Sequence, residues 1–145
     1  GNVTADWIEI ASCFALQTLN DYAPSLLPDL NVARWGAGSA YYWNHLYVVG
    51  GRREREILSH CERLNLDGDK WEELAPLPQL GDYLSLVAHD ETNSLYCLGG
   101  GKYRRESLDT IQKLSIETLT WEILPLKLPM PGRSIAVFVE DRIYF

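Results

Sequence analysis

Two runs of cationic side chains, each following a pair of glycines, are the part of this sequence best suited to binding chemistry. Arginine guanidinium groups pair bidentately with carboxylates, and nearby aromatic side chains add contact area at a low entropic cost. These residue types therefore favour the binding of an acidic peptide over bond-making chemistry. The predicted partner-binding residues are Arg34, Arg52, Arg53, Arg55, Tyr83, Lys102, Tyr103, Arg104, Arg105 and Arg133.

A plainer interpretation of the same loops is that they are solvated and locally neutralised. Arg53-Glu54-Arg55-Glu56 alternates in sign, as does Arg105-Glu106. Charged loops of this kind are common on any protein surface. The pattern alone leaves both interpretations open.

The sequence predicts no metal, no cofactor and no catalytic residue. Gly99-Gly100-Gly101-Lys102 is similar to part of a phosphate-binding loop, but Tyr96 stands where that motif needs its first glycine. Tyr103 follows the lysine where serine or threonine is required. The three cysteines have no paired metal-ligand spacing, and their odd number gives no disulfide framework.

The segments that carry these residues repeat along the chain. Leu46 to Gly51 returns 49 residues later as Leu95 to Gly100, and Ile143-Tyr144-Phe145 begins a third copy. Residues 61–74 and 111–124 align without a gap at a displacement of 50. Four identities argue against chance similarity: Leu64/Leu114, Trp71/Trp121, Glu72/Glu122 and Leu74/Leu124.

The alignment of the two copies also predicts the environment of two cysteines. Cys97 falls where the first copy has Val48, and Cys61 falls where the second copy has Ile111. A free cysteine in such a position behaves as a small hydrophobic residue. Both are predicted to lie in the core.

Each repeat unit is predicted to hold four strands separated by turns. In the first unit a hairpin turns at Asn44-His45, a charged loop follows the glycine pair, and a second hairpin turns at Asp67-Gly68-Asp69. Proline then ends each unit, because proline cannot donate to a sheet ladder. The predicted boundaries are a leading segment at 1–30, units at 31–80 and 81–130, and the start of a further unit at 131–145.

The leading segment has two interpretations. Asp6-Trp7-Ile8-Glu9-Ile10 resembles the tryptophan strands of the later units, which would make it the last strand of a preceding unit followed by an insertion before Pro28. Alternatively, Asp6 and Glu9 form a capping box that opens an amphipathic helix reaching Phe14. The strand is the preferred prediction.

The repeat resembles that of kelch proteins. The shared features are a period of about 50 residues, a strand ending in two glycines, a tyrosine three residues before the first glycine, and a tryptophan some twenty residues later. The resemblance implies an all-β fold of kelch-type β-propeller blades, each with four antiparallel strands. Two full blades plus parts of two others are fewer than a closed ring needs, so the sequence predicts an incomplete propeller.

In such a blade, the loop between strands two and three and the linker to the next blade emerge on one face. That face collects the predicted binding residues and is here called the basic face. The two remaining turns of each blade emerge on the opposite, acidic face. The acidic face is predicted to carry Asp67, Asp69, Asp90, Glu91, Glu117, Glu140 and Asp141.

The resemblance implies a protein-protein interaction module, and one role known in the family is that of a substrate adaptor for cullin-based ubiquitin ligases. It also leaves open an enzyme of the galactose oxidase or sugar-epimerising type and a cytoskeletal scaffold. His45 and His89 are expected near the acidic face and His60 near the basic face. Because the histidines do not converge, a binding role is preferred over an enzyme.

Composition narrows the expected partners. The net charge of −7 argues against a nucleic-acid partner bound through overall positive potential. No apolar run approaches the length of a membrane span, and the first residues lack the regions of a signal peptide, so the prediction is a cytoplasmic protein without a membrane partner. The expected partners are a protein or acidic peptide, and the remaining propeller blades from the same chain or from other copies.

Overall fold

The computed structural model describes residues 13–16, 24–103, 106–133, 135–139 and 142–144. Every regular element in these ranges is a β-strand. Two four-stranded antiparallel sheets form the bulk of the fold, and four smaller two-stranded pairs accompany them. The all-β fold predicted from the repeat is confirmed.

The first residues that the structure describes form a hairpin that the sequence did not predict. Strand β1 (Cys13–Leu16) pairs antiparallel with β2 (Pro24–Leu27). Phe14, which the helical alternative would include, lies in β1. Both interpretations of Asp6 to Ile10 concern residues outside the described ranges.

The first sheet and its short loop pair follow the hairpin. Its strand order is β3-β4-β7-β8, so the four strands lie side by side in the order in which they occur along the chain. The pair β5–β6 lies in the loop between β4 and β7. The strands are β3 (Gly38–Tyr42), β4 (His45–Val49), β5 (Arg52–Arg53), β6 (Glu56–Ile57), β7 (Cys61–Asn65) and β8 (Trp71–Leu74).

The turn between β3 and β4 lies one residue earlier than predicted. Tyr42 pairs with His45, which leaves Trp43 and Asn44 as the two turn residues, with φ of 45° and 58°. Two positive φ values define the turn whose twist matches a tight hairpin. The sequence did not indicate this position because tryptophan is a bulky side chain that rarely adopts the left-handed region.

The second sheet repeats the first, and a third hairpin follows it. The strand order is β9-β10-β13-β14, with the pair β11–β12 in the loop after β10. The third hairpin contains β15 and β16. The strands are β9 (Ser85–His89), β10 (Ser94–Leu98), β11 (Gly101–Lys102), β12 (Glu106–Ser107), β13 (Thr110–Ser115), β14 (Thr120–Lys127), β15 (Val137–Val139) and β16 (Arg142–Tyr144).

The glycine pairs connect each sheet to the next unit along the chain. Gly51, with φ of 97°, donates its N–H to the Gly81 carbonyl at 2.9 Å. Gly100, with φ of 90°, donates to the Gly132 carbonyl at 2.8 Å. Only glycine adopts this backbone region readily. The pairs therefore have a structural role.

One part of the core lies between the two sheets and includes residues of both. Tyr47, Val49 and Cys61 of the first sheet belong to one buried cluster with Leu95 and Cys97 of the second. Apolar burial of this kind is the main favourable term in folding. The prediction that Cys61 and Cys97 lie in the core is confirmed.

The repeated tryptophans secure the segments between units. The indole N–H of Trp71 donates to the Pro28 carbonyl at 2.8 Å, and that of Trp121 donates to the Ala75 carbonyl at 3.0 Å. Trp71 itself is 5% exposed. A buried tryptophan needs a partner for its single donor, and both find it in the backbone that precedes their own sheet.

Each sheet also holds the incoming linker through a buried polar side chain on its third strand. Glu62 accepts from the backbone N–H of Asn31 at 2.8 Å and pairs with Arg34 at 2.9 Å. Gln112, 50 residues later, accepts from the N–H of Gln79 at 2.8 Å and donates back to the Gln79 carbonyl at 2.9 Å. The first sheet thus uses an ion pair where the second uses a neutral amide.

The two buried thiols lead to a pH-dependent prediction. Burial raises the pKa of the Cys61 thiol from its ordinary 9.0 to about 12, and burial likewise raises the pKa of Cys97. Above pH 9 the unfolded chain releases protons that the folded chain keeps, so the free energy of unfolding falls as the pH rises from about 9 to about 12. We expect urea titrations across this range to show the loss.

Other groups also titrate at alkaline pH, so the control is a variant without the two thiols. The double variant Cys61→Val with Cys97→Val keeps apolar side chains of comparable size. We expect its stability to fall less steeply above pH 9 than that of the native chain. Identical slopes for the two proteins would contradict the prediction.

Candidate partner-binding surface

The linkers and the loops that follow the glycine pairs lie together on the basic face. Trp35 and Arg52 exchange two backbone hydrogen bonds, at 3.0 and 2.8 Å. Asp82 and Gly101 exchange the equivalent pair, at 2.9 and 2.8 Å. The linker and the loop that follows the glycine pair are therefore adjacent in both units, as the sequence predicted.

Three residues occupy the same position in successive linkers. Trp35 and Asp82 make the matching backbone bridges. Arg133 follows Gly132 as Asp82 follows Gly81, and both glycine carbonyls accept from the preceding glycine pair. The repeat therefore brings an aromatic, an acidic and a basic side chain to equivalent positions on one face.

Asp82 lies at the centre of an ion cluster with Arg52 and Arg133, here called the Asp82 cluster. Its Oδ2 accepts from Nε of Arg52 at 2.9 Å and lies 2.9 Å from an Nη of the same arginine. Its Oδ1 lies 3.6 Å from an Nη of Arg133. The Asp82 side chain is 1% exposed. A carboxylate buried this deeply persists only when it is paired and hydrogen-bonded.

Two aromatic rings complete this part of the surface. The Arg133 guanidinium carbon lies 4.3 Å from the centre of the Tyr83 ring, and that of Arg52 lies 5.4 Å from the Trp35 ring. The rings of Trp35 and Tyr83 meet edge to face with centres 5.8 Å apart. Both arginines are within the range of cation–π attraction, which fixes their orientation.

A small cleft opens beside Tyr83 and Arg133. Its volume is about 260 Å³, and Gly36, Ala37, Leu84 and Ile135 line it together with these two residues. Tyr83 is 40% exposed and Ile135 is 93% exposed. The cleft thus combines apolar surface with one accessible guanidinium, the combination that suits a peptide side chain next to a carboxylate.

The predicted binding residues differ in their exposure. Arg53, Arg55, Tyr103 and Arg133 are exposed, and Lys102 is half-buried. Arg52 is mostly committed to Asp82, with 18% of its side chain exposed. Arg104 and Arg105 lie outside the described residues.

The prediction that Arg34 belongs to an accessible binding surface is wrong, because Arg34 is buried. Its side chain is 0% exposed and pairs with Glu62, whose side chain is also 0% exposed. It donates in addition to the Val48 carbonyl at 3.4 Å. Its role in the described structure is to hold the linker against the first sheet rather than to contact a partner.

Sequence reasoning missed the central role of Asp82. The only available signal was the exchange of Gly81-Asp82 in one linker for Gly132-Arg133 in the next. That exchange was visible as a departure from the repeat. However, no residue near Asp82 in the sequence indicates that two arginines from other segments meet its carboxylate.

The described histidines have different neighbours. His60 is 3.6 Å from Glu62 and 3.6 Å from Glu73, while the His45 ring contacts the Trp43 carbonyl at 2.8 Å. His89 packs against Phe138. Among the residues that the structure describes, no group of three or more His, Cys, Asp or Glu side chains is placed to hold a metal ion.

The repeated sheet, the glycine pair that ends its second strand and the tryptophan of its fourth strand together define a kelch-type propeller blade. Comparison with known proteins agrees with this class: a family model described as the kelch motif matches residues 34–78. The chain is a kelch-repeat protein.

Similar proteins carry the same repeat in longer chains. Kelch-like protein 33 of Homo sapiens is 34% identical over 122 residues, which are 81% of this chain and 22% of that protein. Kelch domain-containing protein 10 of Xenopus tropicalis is 34% identical over 64% of this chain and 24% of its own length. Kelch-like protein terF of Aspergillus terreus is 27% identical over 94% of this chain and 31% of its own length. The chain spans between about a fifth and a third of these relatives.

A solved structure shares the fold. The structure of YjhT superposes with a TM-score of 0.63 and 22% sequence identity, covering 79% of this chain and 34% of that one. At this identity the likeness concerns the fold alone. Separately, none of the described segments forms a helix with the length and apolar character needed to cross a membrane.

Proposed function

We propose that the basic face binds an acidic segment of a partner protein. The observation that carries the proposal is the position of Arg133, which is 46% exposed, packs on the exposed ring of Tyr83 and borders an apolar cleft. Arg53, Arg55 and Tyr103 add exposed cationic and aromatic groups from the neighbouring loops. Arginine and tyrosine are the residue types that dominate binding energy at protein interfaces.

Asp82 supports the acidic character of the proposed ligand. It already pairs with both arginines, so their guanidinium groups are oriented before any partner arrives. Its Oδ1 lies 3.6 Å from an Nη of Arg133, which is beyond hydrogen-bonding distance, and a guanidinium has five N–H donors. Arg133 therefore keeps donors for a second carboxylate, and its pre-set orientation lowers the entropic cost of binding.

The role of the whole protein is proposed on the same basis. A substrate adaptor of a ubiquitin ligase would use this face to select its substrate, and a cytoskeletal scaffold would use it to hold a partner. The two are distinguished by the neighbouring domains of the full-length protein: a BTB or F-box domain supports the adaptor, and a coiled coil supports the scaffold. A propeller enzyme is the alternative, and stoichiometric copper or zinc in the purified full-length protein would favour it.

Binding can be tested with a fluorescent peptide rich in glutamate and the same peptide carrying glutamine instead. We expect the acidic peptide alone to bind, because only carboxylates pair with the exposed guanidinium groups. Arg55→Glu should weaken binding by about ten-fold, since an attractive charge becomes repulsive. Fluorescence anisotropy titrations at physiological salt would measure the change.

The chain offers a matched control for this substitution. Lys70→Glu makes the same charge change on the opposite face, in the turn between β7 and β8. We expect Lys70→Glu to keep native affinity, because interactions beyond about 8 Å are screened at this salt. Equal losses for both variants would mean that the peptide responds to net charge alone, and the proposal would be wrong.

A further inference from the structure

A second cleft lies on the acidic face, between the first and second sheets. Its volume is about 630 Å³, and its walls include Tyr42 and Tyr47 from the first sheet and Asp90 from the second. The Tyr42 hydroxyl donates to Oδ1 of Asn93 at 3.1 Å and so joins the two walls. This cleft is separate from the basic face, because it is formed by the turns at the other end of the sheets.

Trp43 stands at the rim of this cleft in an unusual conformation. It is 72% exposed, and its φ of 45° is a backbone region that bulky residues rarely adopt. The turn is nevertheless held in place: the His45 ring donates to the Trp43 carbonyl at 2.8 Å, and the side-chain amide of Asn44 donates to Asp67 at 2.7 Å. The sequence thus has a large aromatic side chain at an exposed position where glycine or asparagine would fit the turn better.

The turns at this end of the two sheets carry a net negative charge, and Asp90 is the carboxylate among the residues that line the cleft. The four turns between paired strands of the two sheets carry one lysine, Lys70, and five carboxylates: Asp67, Asp69, Asp90, Glu91 and Glu117. Arg63 also lines the cleft, but its Nε donates to Glu72 at 2.7 Å and its side chain is only 18% exposed. The Arg63 charge is therefore balanced within the first sheet.

We infer that this cleft binds an arginine side chain presented by a second partner protein. A guanidinium stacks on aromatic faces such as that of Trp43 and pairs with carboxylates such as that of Asp90. A single arginine side chain can therefore use both the aromatic ring and the carboxylate. Arginine fits better than lysine because its planar group can stack and donate at the same time. The inference does not depend on the proposed function of the basic face.

The test uses the chain labelled with ¹⁵N and a short peptide with a single arginine between glycine and serine residues. We expect a saturable chemical-shift change at the Trp43 indole as this peptide is added, and none with a peptide in which citrulline replaces the arginine. Citrulline keeps the shape of the side chain and removes its charge. Trp43→Phe identifies the indole signal.

Two variants separate recognition from folding and from general electrostatics. Trp43→Gly should weaken binding at least five-fold while the thermal midpoint stays equal or rises, because glycine relaxes the turn. Asp90→Asn should also weaken binding at least five-fold. Glu91→Gln makes the same charge change beside the cleft and should alter the affinity less than two-fold.

Several outcomes would overturn the inference. One is equal shifts from the arginine and citrulline peptides, and another is equal losses for Asp90→Asn and Glu91→Gln. A saturable response to a neutral sugar such as cellobiose with none to the arginine peptide would assign the cleft to carbohydrate instead. Native affinity of the Trp43→Gly variant for the arginine peptide would also contradict the inference.

Discussion

Gly100→Ala is expected to lower the free energy of unfolding by about 3–5 kcal/mol. A Cβ at Gly100 would lie 2.7 Å from the Asp82 carbonyl oxygen and 2.8 Å from a methyl group of Leu84, and the backbone φ of 90° is strained for alanine. The carbonyl cannot move freely because it accepts from Gly101 at 2.8 Å. Urea titration of the variant and the native chain would measure the loss.

Gly132→Ala is the matched control for this prediction. Gly132 accepts the hydrogen bond from Gly100, but a Cβ at Gly132 would meet no heavy atom within 4 Å. We expect its stability to stay within about 0.5 kcal/mol of the native value, as for most substitutions that create no clash. If both alanine variants lost the same stability, the crowding at Gly100 would not be the cause.

Glu62→Gln is expected to destabilise the chain by about 3 kcal/mol. The substitution keeps the size of the side chain and an acceptor for the Asn31 N–H, but it removes the negative charge that faces Arg34 at 2.9 Å. Both side chains are 0% exposed, so water does not compensate the remaining cation. Thermal and urea unfolding would each report the loss.

The double variant Arg34→Met with Glu62→Gln tests the cause. Removing both charges leaves neutral side chains, and the second sheet likewise has a neutral side chain, Gln112, at the position of Glu62. Replacing a buried ion pair by well-packed neutral side chains is often close to neutral in stability. We therefore expect the double variant to regain most of the stability that Glu62→Gln loses. A double variant less stable than Glu62→Gln would show that Arg34 stabilises the linker by means other than this charge.

The Asp82 cluster connects stability with the proposed binding role. Arg52 was expected to contact a partner, but most of its side chain is buried against Asp82 and Trp35. Arg133 shares the same carboxylate and stays accessible. One buried acid therefore both joins successive linkers and orients the guanidinium proposed to meet a ligand.

The sequence alone determined the repeated sheets, and the blade topology implied by the resemblance placed the loops that follow the glycines on one face. Local patterns were sufficient, because each strand is an apolar run bounded by turn residues and the second copy repeats the first at a fixed displacement. The glycine pairs and Trp71/Trp121 were identified as structural because they recur in phase. Agreement between two copies reinforces each single local signal.

Only the tertiary structure decided which predicted residues are accessible. Arg34 is buried because Glu62, distant in sequence, faces it, and the second unit gives no hint since Gln112 there meets a backbone group instead. Asp82, Arg52 and Arg133 meet because three separate segments pack at one point. A repeat predicts equivalent positions along the chain. The contacts between unlike residues at those positions depend on how neighbouring units pack, and no local pattern in the sequence encodes that packing.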